Sequence, residues 1–385
     1  MRKIAVILLS ILFLAPSLSA QDEGLRLPDG IVKKVLGSLT RPNPKVDTAY
    51  ILKSPLPWSF TLDNSLIATG ASFHSDIDIT EFQPNDLTFK DGVTTHAVFE
   101  NSLQRHLHTK MGLSVGYGSL RVSGGLELGS KNPGKNSFIS LSLRMPTFGG
   151  TIRYIRLKEY MDGSLSVEGT SPIAFTSEYP GTMLTITGDV YYLFNGLRFD
   201  YNATQGCVVD QRRSAGSVMT LAKYLQGDLS MDKRDRSMLS FTNGLFHYST
   251  QQFSIGLGYS YNFVLFHRDS DDSRNWIGYR NLTLNMTAIP MASLYNHIYS
   301  LEEMEDGSVN KTKFDGSIVP SFTLRSGLSF SWGRYSIVST VVYNRFGFNG
   351  MRTTIWTPNH RVKNEFDTKA DFDDLTAKTS LVVRF

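Results

Sequence analysis

The sequence predicts an all-β fold: an antiparallel transmembrane β-barrel of about 12 strands, within a range of 10–14, preceded by a short N-terminal periplasmic segment. Three observations predict it. The N-terminus reads as an export signal, long segments alternate apolar and polar residues, and the last of them ends on Phe385. Bacterial single-chain barrels have even strand numbers, which centres the range on 12.

The export signal comes first. Arg2 and Lys3 precede an apolar run from Ile4 to Ala15, and small residues between Pro16 and Ala20 offer a cleavage site. The apolar run is too short to span a bilayer comfortably. No cysteine follows the cleavage region, which argues against a lipid-modified N-terminus. The expected organisation is therefore a signal peptide over 1–20, a periplasmic lead-in segment over 21–57 and a barrel over 58–385.

Composition agrees. Of 385 residues, 17 are Tyr, 24 Phe and 32 Gly, a profile suited to pleated structure and not to helical membrane spans. Without Arg2 and Lys3, the 39 basic residues fall to 37 against 35 acidic ones, too even a balance for a nucleic-acid-binding surface. Cys207 is the only cysteine, so no internal disulfide forms. No cofactor is implied and no metal site is assigned.

In the lead-in, Ile31, Val32, Val35, Leu36 and Leu39 recur at helical spacing behind Asp29. This suggests a short helix packed on the barrel rim or tucked into its mouth. From Trp58 the period becomes two. Over 252–265, Phe253, Ile255, Leu257, Tyr259, Tyr261, Phe263 and Leu265 share one face, while Gln252, Ser254, Gly256, Gly258, Ser260, Asn262 and Val264 share the other. Similar runs occur at 112–118, 120–128, 139–145, 184–194, 281–287 and 322–330. A soluble sandwich also alternates, with its apolar face inward. Here the polar face carries charges in mid-run, and aromatics gather near strand ends as interface girdles would.

The run 152–158 fits poorly, because Arg153 and Arg156 fall on opposite faces; it reads as a bulged strand or a loop end. The stretches 72–99, 160–180, 228–242, 299–316 and 349–373 read as strand-poor. The long ones are expected as external loops and the short ones as periplasmic turns. No second domain or internal repeat is evident. At the C-terminus, Leu375, Ala377, Thr379, Leu381, Val383 and Phe385 form one face and Asp374, Thr376, Lys378, Ser380, Val382 and Arg384 the other. Phe385 closing this alternation resembles the assembly signal that outer-membrane assembly machinery recognises.

The middle of the chain carries a family resemblance. Tyr191-Tyr192-Leu193-Phe194-Asn195 is followed by Leu197-Arg198-Phe199-Asp200-Tyr201 and then by Gln211-Arg212-Arg213-Ser214-Ala215-Gly216-Ser217. The run from Gly256 to Asn262 and the Asp47-Thr48-Ala49-Tyr50-Ile51 entry add to it. Together they resemble an uncharacterised Bacteroides-type outer-membrane β-barrel family, domain of unknown function 4421. The resemblance implies location and fold over nearly all of the mature chain, and no activity.

Several groups are candidates for chemistry. Gln211, Arg212, Arg213, Ser214, Gly216 and Ser217 can present forked donors to an anion. The plainer reading is a hairpin in which Gly216 allows a sharp turn or bulge. His106 and His108 share one face of a strand and more readily mark its rim than a metal site. Asp269, Asp271 and Asp272, with the acidic run 302–306, can hold Ca²⁺ but read better as solvated loops. Arg121, Glu127, Arg144, Asp189, Arg325, Lys378 and Arg384 are expected to line the lumen, as a selectivity ring or as internal salt bridges.

The expected function is a non-enzymatic narrow pore, or a structural or interaction protein of the envelope. The alternative is a lipid-acting hydrolase, for which no Ser–His pairing is visible in the sequence. The expected partners are outer-membrane lipid and the assembly machinery.

Overall fold

The structure is a computed structural model describing residues 46–385, except 55, 84–87, 104–107, 129–135, 169, 206–208, 236–244, 271–277, 304–307, 317 and 357–362. The signal peptide, the 31–39 periodicity, His106 and Cys207 lie outside the described residues.

The chain enters through β1 (Ile51–Lys53) and continues as β2 (Trp58–Gln83), β3 (Thr88–Leu103), β4 (His108–Tyr117), β5 (Leu120–Glu127), β6 (Ser137–Arg144) and β7 (Phe148–Glu159). Next come β8 (Met161–Val167), β9 (Ile173–Thr176), β10 (Gly181–Leu193), β11 (Val209–Gln211) and β12 (Ala215–Ser230). The last six are β13 (Leu245–Arg268), β14 (Arg280–Glu303), β15 (Val309–Asp315), β16 (Pro320–Trp332), β17 (Tyr335–Trp356) and β18 (Lys363–Arg384).

Twelve strands close an antiparallel barrel: β2, β4 to β7, β10, β12 to β14 and β16 to β18. The seam is β18 on β2, in unbroken register from Asn364↔Ile79 to Arg384↔Ser59. Beyond it, the backbones of Trp58 and Phe385 exchange two hydrogen bonds of 3.1 Å each. Closure gives each of the twelve wall strands a neighbour on both sides, the condition for a sheet whose outer surface is apolar.

The period-two reading of the sequence places the side chains correctly. On β13, Gln252, Ser254, Ser260 and Asn262 are fully buried inside, while Ile255, Leu257, Tyr259, Phe263 and Leu265 are exposed outside. From Phe253 to Leu265 the outward stripe covers ~40 Å of strand, or ~30 Å of height at a tilt of ~40°. Aromatic pairs stand where strands begin or end at the seam end, here called proximal: Trp58–Tyr117 at 4.8 Å, Tyr192–Phe194 at 5.3 Å, Tyr261–Phe263 at 4.6 Å and Phe330–Trp332 at 5.3 Å. Tight turns between β4 and β5 and between β16 and β17 also lie there, with Gly118 and Gly333 at φ of 55° and 54°, a conformation that disfavours a Cβ.

Three sequence expectations are corrected. Four of the five stretches read as strand-poor are largely strand: β2 and β3 cover most of 72–99, β8 and β9 occupy much of 160–180, and β14 and β15 pair over 297–315. Strands β17 and β18 likewise extend through 349–373 on both sides of the residues not described. These pairings project past the apolar stripe at the distal end, where neither face needs to be uniformly apolar. Backbone pairing persists there without the periodic signal. The run 152–158 is regular strand: Arg153 points inward to Asp374 at 3.2 Å and Arg156 is exposed outside, without a register shift.

The third correction concerns 211–217. It is no hairpin, and Gly216 makes no sharp turn. Gly216 lies in regular β12, where an added Cβ would run into the Tyr259 hydroxyl and the Tyr261 ring. A feature the sequence reading did not address is the connection over 194–214, whose described residues sit at the proximal end among the short turns. It folds inward as a plug.

The interior is therefore layered. A distal layer packs Ile155, Leu157, Met183, Leu225, Phe346 and Phe372 against one another, with Phe138 against them. The middle is polar and charged, and the proximal third holds the plug.

Candidate functional site: a plugged lumen

The plug is built from the family-motif residues. Phe199 packs fully buried among Tyr191, Leu193, Met219 and Ile289 of the barrel's inner face. Gln211 is its polar hub. Its Oε1 accepts the Asp200 backbone N–H at 3.0 Å and an Asn262 amide N–H at 3.1 Å, while its Nε2 donates to the Arg198 carbonyl at 2.7 Å and the Arg213 carbonyl at 3.0 Å. A buried Gln with both ends engaged fixes a unique backbone path. Ser217 Oγ accepts the Asn195 N–H at 2.9 Å, and Ser214 Oγ accepts the Val264 N–H at 2.9 Å.

The lead-in is stitched to the plug. Strand β1 pairs antiparallel with β11, Ile51 opposite Gln211, and Ile51 is buried. Arg212 donates to both Asp269 carboxylate oxygens at 2.6 Å and to the Thr48 carbonyl at 2.9 Å. Arg213 and Arg198 stack their guanidinium groups on Tyr50. The motif arginines thus clamp chain to chain at the proximal face. Asp269 is engaged with Arg212 and His267, whereas Asp271 and Asp272 lie outside the described residues, as do residues 304–307 of the second acidic run.

The lumen candidates divide into three groups. Arg384 holds Asp210 of the plug, with Nη1–Oδ2 at 2.7 Å and Nη2–Oδ1 at 3.1 Å, both side chains essentially inaccessible to solvent. Arg121 Nη1 donates to the Gln205 carbonyl at 2.7 Å, Arg144 reaches the same oxygen at 3.4 Å, and Arg325 Nη2 donates to Thr204 Oγ1 at 3.3 Å while its guanidinium stacks on Tyr201. These three arginines, from β5, β6 and β16, grip the inner end of the plug. Glu127 belongs elsewhere, in a distal cluster: His108 lies between Glu127 at 2.6 Å and Glu159 at 3.1 Å. Among the described residues no group of three or more His, Cys, Asp or Glu is placed to hold a metal ion.

Lys378 and Asp189 belong to the third group, which walls a chamber of about 220 Å³ between the plug and the distal apolar layer. Its floor is Tyr201, Asn202 and Gln205; Phe138 and Ile155 of the distal layer form part of its wall. Arg121, Arg144, Arg153, Lys223, Arg325 and Lys378 line it, against the carboxylates of Asp63 and Asp189. Asp374 adds a third carboxylate, held by Arg153 at 3.2 Å. Lys378 lies 3.4 Å from Asp63, and Lys223 donates to Thr323 Oγ1 at 3.0 Å and Asn344 Oδ1 at 2.5 Å.

Sequence reasoning missed Asp63, Arg153 and Lys223 of the chamber, and Asp200 and Asp210 of the plug. Asp63 was within reach: Trp58, Phe60 and Leu62 alternate with Ser59, Thr61 and Asp63. Lys223 was not, because the inner face of β12 also carries Met219, Leu221 and Leu225, which erases the polarity difference between faces.

A Ser–His contact also exists on the outer face. Ser230 of β12 and His247 of β13 are opposite residues in register, and Ser230 Oγ lies 2.8 Å from His247 Nδ1. No hydrogen-bond partner orients Nε2 among the described residues.

Comparisons with known proteins bear on the family. Among solved structures, the chain is similar to the outer membrane protease OmpT from Escherichia coli, at 6% identity and TM-score 0.32, covering 84% of this chain and 97% of that one. It is similar to the P. putida toluene transporter TodX at 9% identity and TM-score 0.21, covering 86% and 91%, and to a Pseudomonas aeruginosa FadL homologue at 8% and 0.19, covering 86% and 90%. No curated protein matches in sequence. The family described as Domain of unknown function (DUF4421) matches residues 45–364, from the lead-in through the plug and into β18, and the chain belongs to that family.

Proposed function

We propose that the chain is an integral outer-membrane β-barrel that acts as a gated narrow pathway rather than an enzyme, closed at rest by its own plug. One observation carries the reading: a connection at the turn end folds into the lumen and is held there by side-chain hydrogen bonds and ion pairs, with a polar chamber behind it. A purely structural barrel has no need of a chamber. A plug held by directional polar contacts can be released and re-formed without unfolding the barrel.

The outer-membrane setting is supported by the outward apolar stripe, the aromatic pairs at its proximal margin and the seam closed by Trp58 and Phe385. In this reading the proximal end faces the periplasm, the distal pairings face outward, and the stripe meets outer-membrane lipid. Phe385, whose ring is exposed, is the group offered to the assembly machinery.

A second reading, a lipid-acting hydrolase, is favoured by the Ser230–His247 contact. A serine nucleophile needs a base oriented by a third group and donors for the developing oxyanion. His247 lacks the former among the described residues, so the pair reads better as a cross-strand contact.

The test is uptake of small solutes by proteoliposomes, run beside phospholipid hydrolysis in the same preparation. Uptake that rises when the plug is loosened, without hydrolysis, supports the pathway. Hydrolysis lost in Ser230→Ala would overturn it.

A further inference from the structure

The chamber is more than a gap left by the plug. Its six cationic side chains outnumber the nearby carboxylates of Asp63, Asp189 and Asp374 by three. Even with the Asp200 carboxyl of the plug included, positive charge remains in excess. Charge of one sign enclosed by protein is costly unless a counter-charge arrives. The hydrogen-bond acceptors on Lys223, Thr323 Oγ1 and Asn344 Oδ1, are both neutral.

The shape is also informative. A cavity of about 220 Å³ takes several waters or one compact solute and excludes a chain molecule. Arginine matches carboxylate and phosphate through its fork, and lysine adds a mobile point charge. The lining includes three aromatic side chains, Phe138, Tyr191 and Tyr201, and the hydroxyls of Ser123, Ser140, Ser142, Thr151 and Thr340 stand among the cations. Hydroxyls beside cations suit a hydroxylated acid or a phosphate, not a hydrocarbon.

We propose that this chamber binds a compact anion carrying carboxylate or phosphate groups, through Arg144, Arg153, Lys223 and Lys378, and that this anion is the solute class admitted by the pathway. The inference rests on the pathway reading and narrows it. It also supplies a coupling. Arg144 belongs both to the chamber wall and to the grip on Gln205, and Arg121 and Arg325 share that double position. An anion that draws these guanidinium groups inward takes donors from the plug, so binding and plug release are linked, each favouring the other.

The test uses the full-length barrel in detergent, titrated calorimetrically with inorganic phosphate, with glucuronate and with neutral glucose at fixed ionic strength. The expected result is binding of one or both anions and none of glucose. Affinity should fall at least tenfold in Lys223→Met and in Lys378→Met and be retained in Lys378→Arg. Phosphate without glucuronate identifies a phosphate ligand; glucuronate alone identifies a sugar acid. Heat-modifiable electrophoretic mobility confirms that each variant is a closed barrel, and Lys378→Arg keeps the comparison informative if a methionine variant misfolds. Absence of anion binding, or affinity unchanged in both methionine variants, overturns the site. Anion binding that never increases the proteolytic accessibility of residues 199–211 overturns the coupling. Anion binding in a barrel that takes up no solute under any plug state overturns the pathway reading and leaves the site standing.

Discussion

Arg384, one residue from the C-terminus, and Asp210, in the short plug strand β11, form a two-point ion pair at 2.7 and 3.1 Å with almost no access to solvent. Ser331 Oγ donates to the same carboxylate at 3.1 Å. The strand that closes the barrel therefore also anchors the plug. Removing one member of a buried pair strands the other charge and costs ~3–5 kcal/mol, whereas replacing both with apolar residues is far milder. Asp210→Ala is expected to lower the urea midpoint and expose residues 199–211 to protease. The double variant Asp210→Leu/Arg384→Met is expected to recover most of the urea midpoint. Urea titration followed by tryptophan fluorescence measures both.

Gly327 of β16 faces Thr204 of the plug. A Cβ there would lie 2.6 Å from Thr204 Oγ1 and 2.9 Å from Thr204 Cβ. Gly327→Ala is expected to push the plug away, at an overpacking cost of ~1–3 kcal/mol. Thr204→Gly in the same chain should restore docking, because it removes both clashing atoms. Protease accessibility of the plug in the single and double variants tests the pair, and equal accessibility in wild type and Gly327→Ala would contradict it.

Asp200 gives the plug a pH dependence. Burial pushes its carboxyl up to about 6, partly offset by the N–H of Asn202, which donates to Oδ1 at 2.7 Å, and by the charges of Arg144 and Lys53. A carboxyl whose folded value exceeds its unfolded one binds more protons when folded, so stability falls as pH rises between about 4 and about 6. Above that window the loss is complete. The plug is expected to be held more tightly at pH 4.5 than at pH 7.5, and Asp200→Asn should remove that difference while leaving docking intact. Hydrogen exchange over 199–211 at the two pH values measures it.

Phe385 exchanges both backbone hydrogen bonds with Trp58, but its ring is exposed and supports no core. Phe385→Ala is therefore expected to leave the refolded barrel as stable as wild type in detergent while slowing insertion in cells. Pulse-chase assembly into the heat-modifiable form distinguishes the two effects; a large loss of stability in vitro would contradict the assignment of Phe385 as a recognition element.

The barrel was legible because one physical rule governs its walls: a strand between lipid and a wet interior must alternate. That rule ordered Ile255, Leu257 and Tyr259 against Ser254, Ser260 and Asn262, and it set Arg121, Arg325 and Lys378 inside. It lapsed in two places. Past the apolar stripe, as in β3 and β15, pairing continues where neither face must be apolar, so those segments read as loops. In β12 and β14 the inner face turns apolar at Met219, Leu221, Ile289 and Met291 to receive Phe199, and alternation loses its contrast. The plug was illegible for a different reason. Gln211, Arg212 and Ser217 stood out as a motif, but their partners are Asn262, Asp269 and Asn195, and only the folded chain brings them together. The ion pair of Arg384 with Asp210 across 174 positions of sequence carries no local signal.

The central claim is that the described residues of the connection over 194–214 close the lumen with backbone, whereas the distal layer is made of side chains of the wall. The most direct measurement is planar-bilayer conductance of the wild-type barrel beside a variant in which residues 199–210 are replaced by a short Gly-Ser link, with the closed-barrel form of both verified by heat-modifiable mobility. Negligible conductance for wild type and a steady, anion-preferring conductance for the variant is the expected result. Equal conductance in the two would contradict the account.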